Sequence, residues 1–320
     1  MTFTITGGIT FSGAGVTFTA PPIIKKAIFG YGYALITTYT ALTNLVSNTG
    51  VVGNDVTGVG TARWQLTAAG YGNDKAIFGY GAGSPGGFVT NLVSNTGVVA
   101  NDVAGVGTSR QNLAAATYGT DKAIFGYGQT FVSGQPATAI TNLVSNTGVV
   151  AADTTGVGTV RYILAAAGYG TDKAIFGYGY DSAGTPVQTY SMTNLVSNTG
   201  VVAADTTGVG PSRLGLAATG YGTDKAIFGF GAAGPAGLWI NLVSNTGVVA
   251  TNTNAVGTAR TNLAAAGYGL DKAIFGYGSN SAYSVAYSVT NLVSNTGAVA
   301  TDTTGVGTTR GGLAAASYSS

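Results

Sequence analysis

The chain has 320 residues, a formal net charge of +2, 8% charged side chains, and neither His nor Cys. Without these two residue types it has no usual zinc ligand set, no Ser-His-Asp or Cys-His nucleophile system and no disulfide. All of its acidic residues are Asp, so carboxylate chemistry has few candidates. We therefore expect a protein that is not an enzyme and that carries no catalytic residue, metal or cofactor.

The distribution of charge and apolar residues also limits the partners. No basic cluster is larger than Lys25-Lys26, whereas a nucleic-acid-binding surface needs a basic patch. No apolar run reaches the roughly 18 residues of a membrane span. The sequence therefore predicts neither nucleic-acid binding nor membrane insertion.

Residues 1–24 precede the repeated part of the chain. Thr alternates with apolar residues in this segment until Pro21-Pro22, which predicts a small β-hairpin. Two interpretations stay open. The segment either packs on the rest of the protein as a plug or extra strand, or it is an arm that attaches the protein to a larger assembly.

From residue 25 onward the chain consists of repeats. The motif KAIFGYG, or KAIFGFG once, begins at Lys26, Lys75, Lys122, Lys173, Lys225 and Lys272, at intervals of 47 to 52 residues. A second motif, NLVSNTG or its equivalent, begins at Asn44, Asn91, Asn142, Asn194, Asn241 and Asn291. A third marker is an Arg shortly before a Leu, at Arg63, Arg110, Arg161, Arg213, Arg260 and Arg310. The distance from each Asn to the next Arg is 19 residues throughout, so length varies only between GYG and NLVS.

Each repeat predicts four short strands, because its apolar runs are β-branched or aromatic and are separated by turn residues. In chain order within a sheet these are strand a (RxxLAAAGY), strand b (KAIFGYG), strand c (TNLVS) and strand d (GVVAxD). The turns are GTDK between a and b and SNTG between c and d. Strand b lacks charge on both faces, which predicts a sheet buried on both sides. The Ala-rich strand a fits the innermost position.

These repeats predict an all-β fold, a six-bladed β-propeller of four-stranded blades over residues 25–320. The chain enters at a strand b and leaves on a strand a, Arg310–Ser320. We therefore expect the C-terminal strand to pair in the first blade, which closes the ring and leaves no open edge between blades.

The repeat resembles the kelch family of β-propellers. The segment from Arg110 to Gly128, RQNLAAATYGTDKAIFGYG, followed after a loop by Thr141-Asn142, is similar to a kelch blade. It departs from that pattern in having GYG in place of Gly-Gly, and Leu-Val where a Trp usually follows Thr-Asn. The near-identical copies also look like repetitive proteins of marine bacteriophages. The resemblance implies a kelch-like propeller scaffold over residues 25–320.

The repeated Arg predicts six cations near the mouth of a central channel. An Asp stands eight residues before five of them, so pairing across the d–a loop is the simpler interpretation. The exception is Arg260, which has Asn252 at that distance. If an anion binds to this group of arginines, we expect it at Arg260.

The loops between strands b and c are the best candidate binding surface, because they vary on a constant scaffold. They are Tyr33–Leu42, Ala82–Val89, Gln129–Ile140, Tyr180–Met192, Ala232–Trp239 and Ser279–Val289. Their aromatic residues are Tyr33, Tyr39, Phe88, Phe131, Tyr180, Tyr190, Trp239, Tyr283 and Tyr287. Aromatic rings among hydroxyl and amide side chains suit sugars or neutral polymers. Alternatively, the rings only cover the apolar ends of strands.

Three hypotheses for the function are compatible with these features. The first is a recognition or adhesion module of a virion or phage tail, at an extracellular location, that binds a host-surface glycan or receptor through the b–c loops. In that case residues 1–24 would join it to the larger virion assembly. The second is a purely structural virion component without a ligand, and the third is a kelch-like protein-interaction scaffold.

Overall fold

The computed structural model describes residues 9–12, 15–18, 24–35, 38–83, 88–182, 188–232 and 237–320. Parts of the predicted leader (1–8, 13–14 and 19–23) and of four b–c loops (36–37, 84–87, 183–187 and 233–236) lie outside these residues. All secondary-structure elements in the described ranges are β-strands. They contain no helix of the length and apolarity that a membrane crossing requires.

The strands are, in chain order, β1 (Ile9–Ser12), β2 (Gly15–Phe18), β3 (Lys25–Gly30), β4 (Tyr33–Leu35), β5 (Thr38–Tyr39), β6 (Thr43–Val46), β7 (Arg63–Trp64), β8 (Thr67–Tyr71), β9 (Lys75–Gly79), β10 (Ala82–Gly83), β11 (Val89–Val93), β12 (Val103–Ala104), β13 (Arg110–Gln111), β14 (Ala114–Tyr118), β15 (Lys122–Gly126), β16 (Gln129–Thr130), β17 (Thr141–Val144), β18 (Ala165–Tyr169), β19 (Lys173–Gly177), β20 (Tyr180–Asp181), β21 (Gln188–Thr189), β22 (Thr193–Val196), β23 (Ala217–Tyr221), β24 (Lys225–Gly229), β25 (Trp239–Val243), β26 (Thr253–Asn254), β27 (Ala264–Tyr268), β28 (Lys272–Gly276), β29 (Thr290–Val293) and β30 (Ala314–Ser319).

Strands a, b and c of the repeat form antiparallel sheets, as predicted. In the described chain they make sheet 1 (β30-β3-β6), sheet 2 (β8-β9-β11), sheet 3 (β14-β15-β17), sheet 4 (β18-β19-β22), sheet 5 (β23-β24-β25) and sheet 6 (β27-β28-β29). In sheet 3, Phe125 of strand b pairs with Ala115 of strand a and with Asn142 of strand c. The same register recurs in the other sheets.

The predicted strand d, GVVAxD, is not a continuous strand in any sheet of the described chain. It forms only an isolated bridge, such as Val144 with Val150 in sheet 3, and pairing resumes directly after it, as a bridge of Thr141 with Thr154 in sheet 3 and as β12 and β26 in sheets 2 and 5. The side chain of Asn142 explains the gap between the two bridges. Its Nδ2 donates to the carbonyl oxygen of Ala151 at 3.0 Å and so takes a place that a main-chain donor would hold in a continuous ladder.

The core lies between consecutive sheets. The Ala, Ile and Phe side chains of strand b are fully buried in every sheet. The Gly that ends strand b lets the next sheet approach closely, since a β-carbon on Gly79 would lie 2.7 Å from the ring of Phe125. Phe125 also packs edge-on against Tyr80, with 5.4 Å between ring centroids.

The C-terminal strand pairs with the first strand b, as the phase of the repeat predicts. Strand β30 runs antiparallel to β3, from Lys25 opposite Ser319 to Gly30 opposite Ala314. The predicted hairpin in the leader is also confirmed, because β1 pairs antiparallel with β2 from Ile9 opposite Phe18. These two strands form a sheet of their own.

Main-chain hydrogen bonds link neighbouring sheets at the second residue after each conserved Arg. This residue has a positive φ and donates its N–H to the equivalent carbonyl of the preceding sheet. The bonds are Gln65 to Gly312 (2.8 Å), Asn112 to Gln65 (2.8 Å), Ile163 to Asn112 (2.9 Å), Gly215 to Ile163 (3.1 Å), Asn262 to Gly215 (2.7 Å) and Gly312 to Asn262 (2.9 Å). The series therefore returns to its first residue.

A second series joins the a–b turns at the opposite ends of the strands. The bonds are Gly72 to Asp121 (2.7 Å), Gly119 to Asp172 (2.7 Å), Gly170 to Asp224 (2.7 Å), Gly222 to Asp271 (2.7 Å), Gly269 to Lys25 (2.9 Å) and Ser319 to Asp74 (3.1 Å). Between the two series, the a strands of all six sheets line a cavity of about 380 Å³. The Ala-rich strand is thus innermost, as predicted.

Candidate functional site

A pair of stacked aromatic rings, one exposed and one half-buried, lies on the b–c loop side of sheets 1 and 2. Tyr39 and Trp64 are stacked, with centroids 5.8 Å apart and an angle of 11° between the rings. Tyr33 meets Trp64 edge-on at 5.3 Å and 88°. We call these three residues the aromatic platform.

Local sequence explains why the platform forms here. Trp64 directly follows the conserved Arg63 and pairs with Ala82, which starts the b–c loop of sheet 2. On the other side, Gly311 has no side chain where every other repeat has a larger residue, and Gly312 follows it at a position where only sheet 5, with Gly215, also has glycine. A β-carbon on Gly312 would lie 3.2 Å from both the Trp64 ring and the Tyr33 ring, so glycine makes room for both.

Within the platform the three rings differ in access to solvent. Tyr39 is 38% exposed and Trp64 is half-buried, whereas Tyr33 is only 2% exposed. Burial raises the pKa of Tyr33, and the neighbouring Ser279 hydroxyl opposes the rise. Tyr33 is therefore the buried member of the platform, and Tyr39 is its most exposed ring.

A second aromatic pair lies at sheet 4. Tyr180 meets Tyr162 edge-on at 5.1 Å, and the hydroxyl of Tyr162 hydrogen-bonds with Ser182 Oγ at 3.1 Å. Tyr190 is half-buried, and burial raises the pKa of its hydroxyl. Asp181 adds to this rise in pKa, while the positive charge of Arg161 opposes it.

The other predicted aromatic residues are dispersed. Phe88 is half-buried against Tyr80, with centroids 5.9 Å apart, and Phe131 is 41% exposed. Trp239 is half-buried on strand β25 rather than in a loop, and Tyr283 and Tyr287 are half-buried in the b–c loop of sheet 6. The structure thus brings Tyr33 and Tyr39 together and keeps most of the others apart.

Sequence reasoning missed Trp64 and Tyr162, which complete the two aromatic groups. Both occupy the position directly after the conserved Arg. That position is different in every repeat: Trp64, Gln111, Tyr162, Leu214, Thr261 and Gly311. Variation at one position of an otherwise constant strand a was the signal that could have assigned this residue to the b–c loop surface. The structure explains it, because this residue pairs with the first residue of the b–c loop.

The prediction that the conserved arginines surround a channel mouth is wrong. All six are 0% exposed and lie between sheets. The Arg161 guanidinium lies 4.4 Å from the ring centroid of Tyr127 in the preceding sheet, and its Nη2 donates to Asn194 Oδ1 at 2.5 Å. Its Nε donates to the carbonyl oxygen of Tyr178 at 2.8 Å. The polar contacts and the aromatic face replace the water that a buried cation loses.

The predicted pairing of each Arg with the Asp eight residues before it is also wrong. For five of the arginines, the carboxylate that favours the charged form comes from strand d of the same sheet. Arg63 lies 3.9 Å from Asp102, and Arg260 lies 3.6 Å from Asp302. Arg260 is therefore not the exception that its sequence position indicated, and the reason for expecting an anion there is removed.

In five of the sheets, an Asp holds the segment that leads into the sheet. We call the segment from two residues before the conserved Arg to that Arg the lead-in segment, such as Thr159–Arg161 of sheet 4. Thr159 donates both its N–H, at 2.9 Å, and its hydroxyl, at 2.7 Å, to Asp205 Oδ2. Asn194 Nδ2 donates to Asp205 Oδ1 at 2.9 Å. Burial would raise the pKa of Asp205, but the hydrogen bonds from Thr159 and Asn194 outweigh burial and hold it below its usual value.

Comparison with known proteins shows only the fold. No protein-family model and no curated protein matches the sequence. Among solved structures, the protein YjhT is similar with a TM-score of 0.61 and 13% sequence identity, over 79% of this chain and 87% of that chain. The chain has a propeller-like all-β fold.

Proposed function

We propose that residues 25–320 form a closed six-bladed propeller of the kelch-like type. The two series of inter-sheet hydrogen bonds, each of which returns to its starting sheet, support this proposal. So does the pairing of β30 with β3, because it supplies strand a of sheet 1 from the far end of the chain.

We propose that this scaffold is a recognition or adhesion module that binds a host-surface glycan or similar receptor on its b–c loop side. The observation that carries the proposal is the aromatic platform. A pyranose ring presents an apolar face that stacks on flat aromatic rings, and Tyr39 and Trp64 offer nearly parallel rings at the surface. The low charge of the chain, 8%, favours a neutral ligand.

We propose a binding role rather than an enzymatic one. The chain has no Glu, His or Cys, and the Asp residues at strand d are engaged in holding lead-in segments. Their pKa values are held below the usual range, which suits structural carboxylates and not a general acid.

We further propose a virion or tail-associated, extracellular location, with residues 1–24 as the attachment to a larger assembly. The leader hairpin, β1 and β2, supports this, since its two strands extend none of the sheets formed by the described part of the repeats. Two-stranded hairpins are marginal alone and gain stability against a partner.

A purely structural role is the second candidate, and the buried aromatic residues favour it. Tyr33 is 2% exposed and Phe88 packs against Tyr80, so part of the predicted binding set covers strand ends. In that case the exposed pair would have no ligand.

Binding to a broad glycan array and to host cells separates the two candidates. We expect Tyr39→Ala to weaken any glycan signal about tenfold, since one stacking surface is lost. Phe131→Ala is the matched control, because Phe131 is similarly exposed, at 41%, but lies outside the platform. Absence of binding in both assays would favour the structural role, whereas an equal loss in the two variants would show that the platform is not the binding site.

A further inference from the structure

The lead-in segment of sheet 5 differs from all the others. Pro211 stands where the other lead-in segments have Thr, and Asn252 stands where the other strand d segments have Asp. Proline has no N–H and no hydroxyl, so the two donors that bind the carboxylate in sheet 4 are both missing. Sheet 5 has therefore lost a negative charge together with two of its hydrogen-bond donors.

The conserved cation remains in place. Arg213 is 0% exposed and lies 4.4 Å from the ring centroid of Tyr178. Burial lowers its pKa, and Tyr178 opposes this, whereas each of the other five arginines also has an Asp that favours its charged form. Arg213 is thus the one conserved Arg that no carboxylate of the described chain stabilises.

The surroundings of Arg213 differ from those of Arg161 in sheet 4 in two further ways. Asn241 Nδ2 donates to the carbonyl oxygen of Ala250 at 3.0 Å, but the second donation, which Asn194 makes to Asp205 in sheet 4, has no counterpart among the described residues. The side chains of Asn252 and Asn241 also lie further from Gly210 than their equivalents do from Gly158. A β-carbon on Gly210 would lie 3.2 Å from Asn252 Oδ1 and 3.4 Å from Asn241 Nδ2, compared with 2.3 Å from Asp205 Oδ1 and 2.7 Å from Asn194 Nδ2 to the equivalent carbon on Gly158.

We propose that this place binds a small monovalent anion of the chloride type, which supplies the charge that Asp provides in the other sheets. The anion accepts from Asn241 Nδ2 and is held by the charge of Arg213, beside Gly210. It enters between Pro211 and Asn252, which are both half-buried. An organic carboxylate is a poorer candidate, because its second oxygen would face Pro211, which has no donor to offer.

Bromide, which replaces chloride and scatters X-rays anomalously, tests the location. Crystals of the full chain soaked in bromide should show an anomalous peak within hydrogen-bonding distance of Asn241 Nδ2. The variant P211T/N252D restores the Thr and Asp of the other sheets and should show no peak there. A wild-type crystal without a peak at sheet 5, or with equal peaks at all six lead-in segments, would overturn the proposal.

Thermal unfolding tests the same site in solution. At constant ionic strength, replacing gluconate by chloride should raise the unfolding midpoint of the wild type by about 2 to 4 °C when chloride is about tenfold above its dissociation constant. The P211T/N252D variant should lose this dependence. An equal chloride effect in both proteins would show that the anion acts elsewhere and would contradict the proposal.

Discussion

Sheets 4 and 5 share one architecture but hold their lead-in segments differently. In sheet 4, Thr159, Asp205 and Arg161 form one connected polar group, with the Arg and Asp 3.7 Å apart. In sheet 5, Pro211 and Asn252 replace the first two members. The paired replacement teaches that the threonine and the aspartate act as a unit, since a carboxylate facing proline would lose its two strongest donors.

The largest effect is expected when a lead-in segment is removed outright. Deletion of residues 308–320 takes away the lead-in segment of sheet 1 together with β30, which leaves an edge of the apolar strand β3 unpaired. We expect insoluble or unfolded protein, measured by the soluble fraction and by cooperative thermal unfolding. Thr308→Ala in the full chain is the control and should stay soluble. A soluble, cooperatively folding truncated protein would contradict the proposed closure.

A smaller effect is expected when the polar group of sheet 4 is broken by a single substitution. Asp205→Ala leaves the donors of Thr159 and Asn194 without their acceptor, so we expect a loss of about 1 to 3 kcal/mol in the free energy of unfolding. Asn252→Ala removes no such group and should cost less than about 0.5 kcal/mol. Denaturant unfolding of both variants measures the difference. Equal losses would mean that Asp205 contributes no more than its packing.

The smallest effect concerns acid. The pKa of Asp205 is held below its usual 3.8, as are those of its four counterparts. A folded-state pKa below the unfolded one gives stability that is present above the unfolded value and is lost as pH falls through the folded value. We therefore expect the thermal unfolding midpoint to decrease as the pH is lowered below about 4. This decrease should be less steep in Asp205→Asn. Parallel pH curves for the two proteins would contradict this role.

The sequence predicts the sheets well because the repeat constrains them. Three recurring markers define strands a, b and c in every copy, and the phase of the repeat predicts that the C-terminal strand pairs with β3, where Ser319 lies opposite Lys25. Strand d was harder to predict. Its apolar GVVA run has β-propensity, but the side chain of Asn142 competes with the main chain for the carbonyl of Ala151.

The site was less predictable because contacts across a sheet do not follow distance along the chain. The Asp eight residues before an Arg looked like its partner, yet strand pairing brings Asp302 to Arg260 from the far side of the same sheet. Access to solvent is equally invisible in a sequence. Tyr33 and Tyr39 come from one loop, but packing against Gly311 and Gly312 buries the first and leaves the second at the surface.

The hydrogen bonds that join the sheets beside the b–c loops use only main-chain atoms. The residues that make them are Gln65, Asn112, Ile163, Gly215, Asn262 and Gly312. Any amino acid with an N–H that tolerates a positive φ can keep such a bond. The bond therefore does not depend on which side chain the residue carries. The middle of this surface can therefore change its chemistry one substitution at a time while the framework beneath it stays the same.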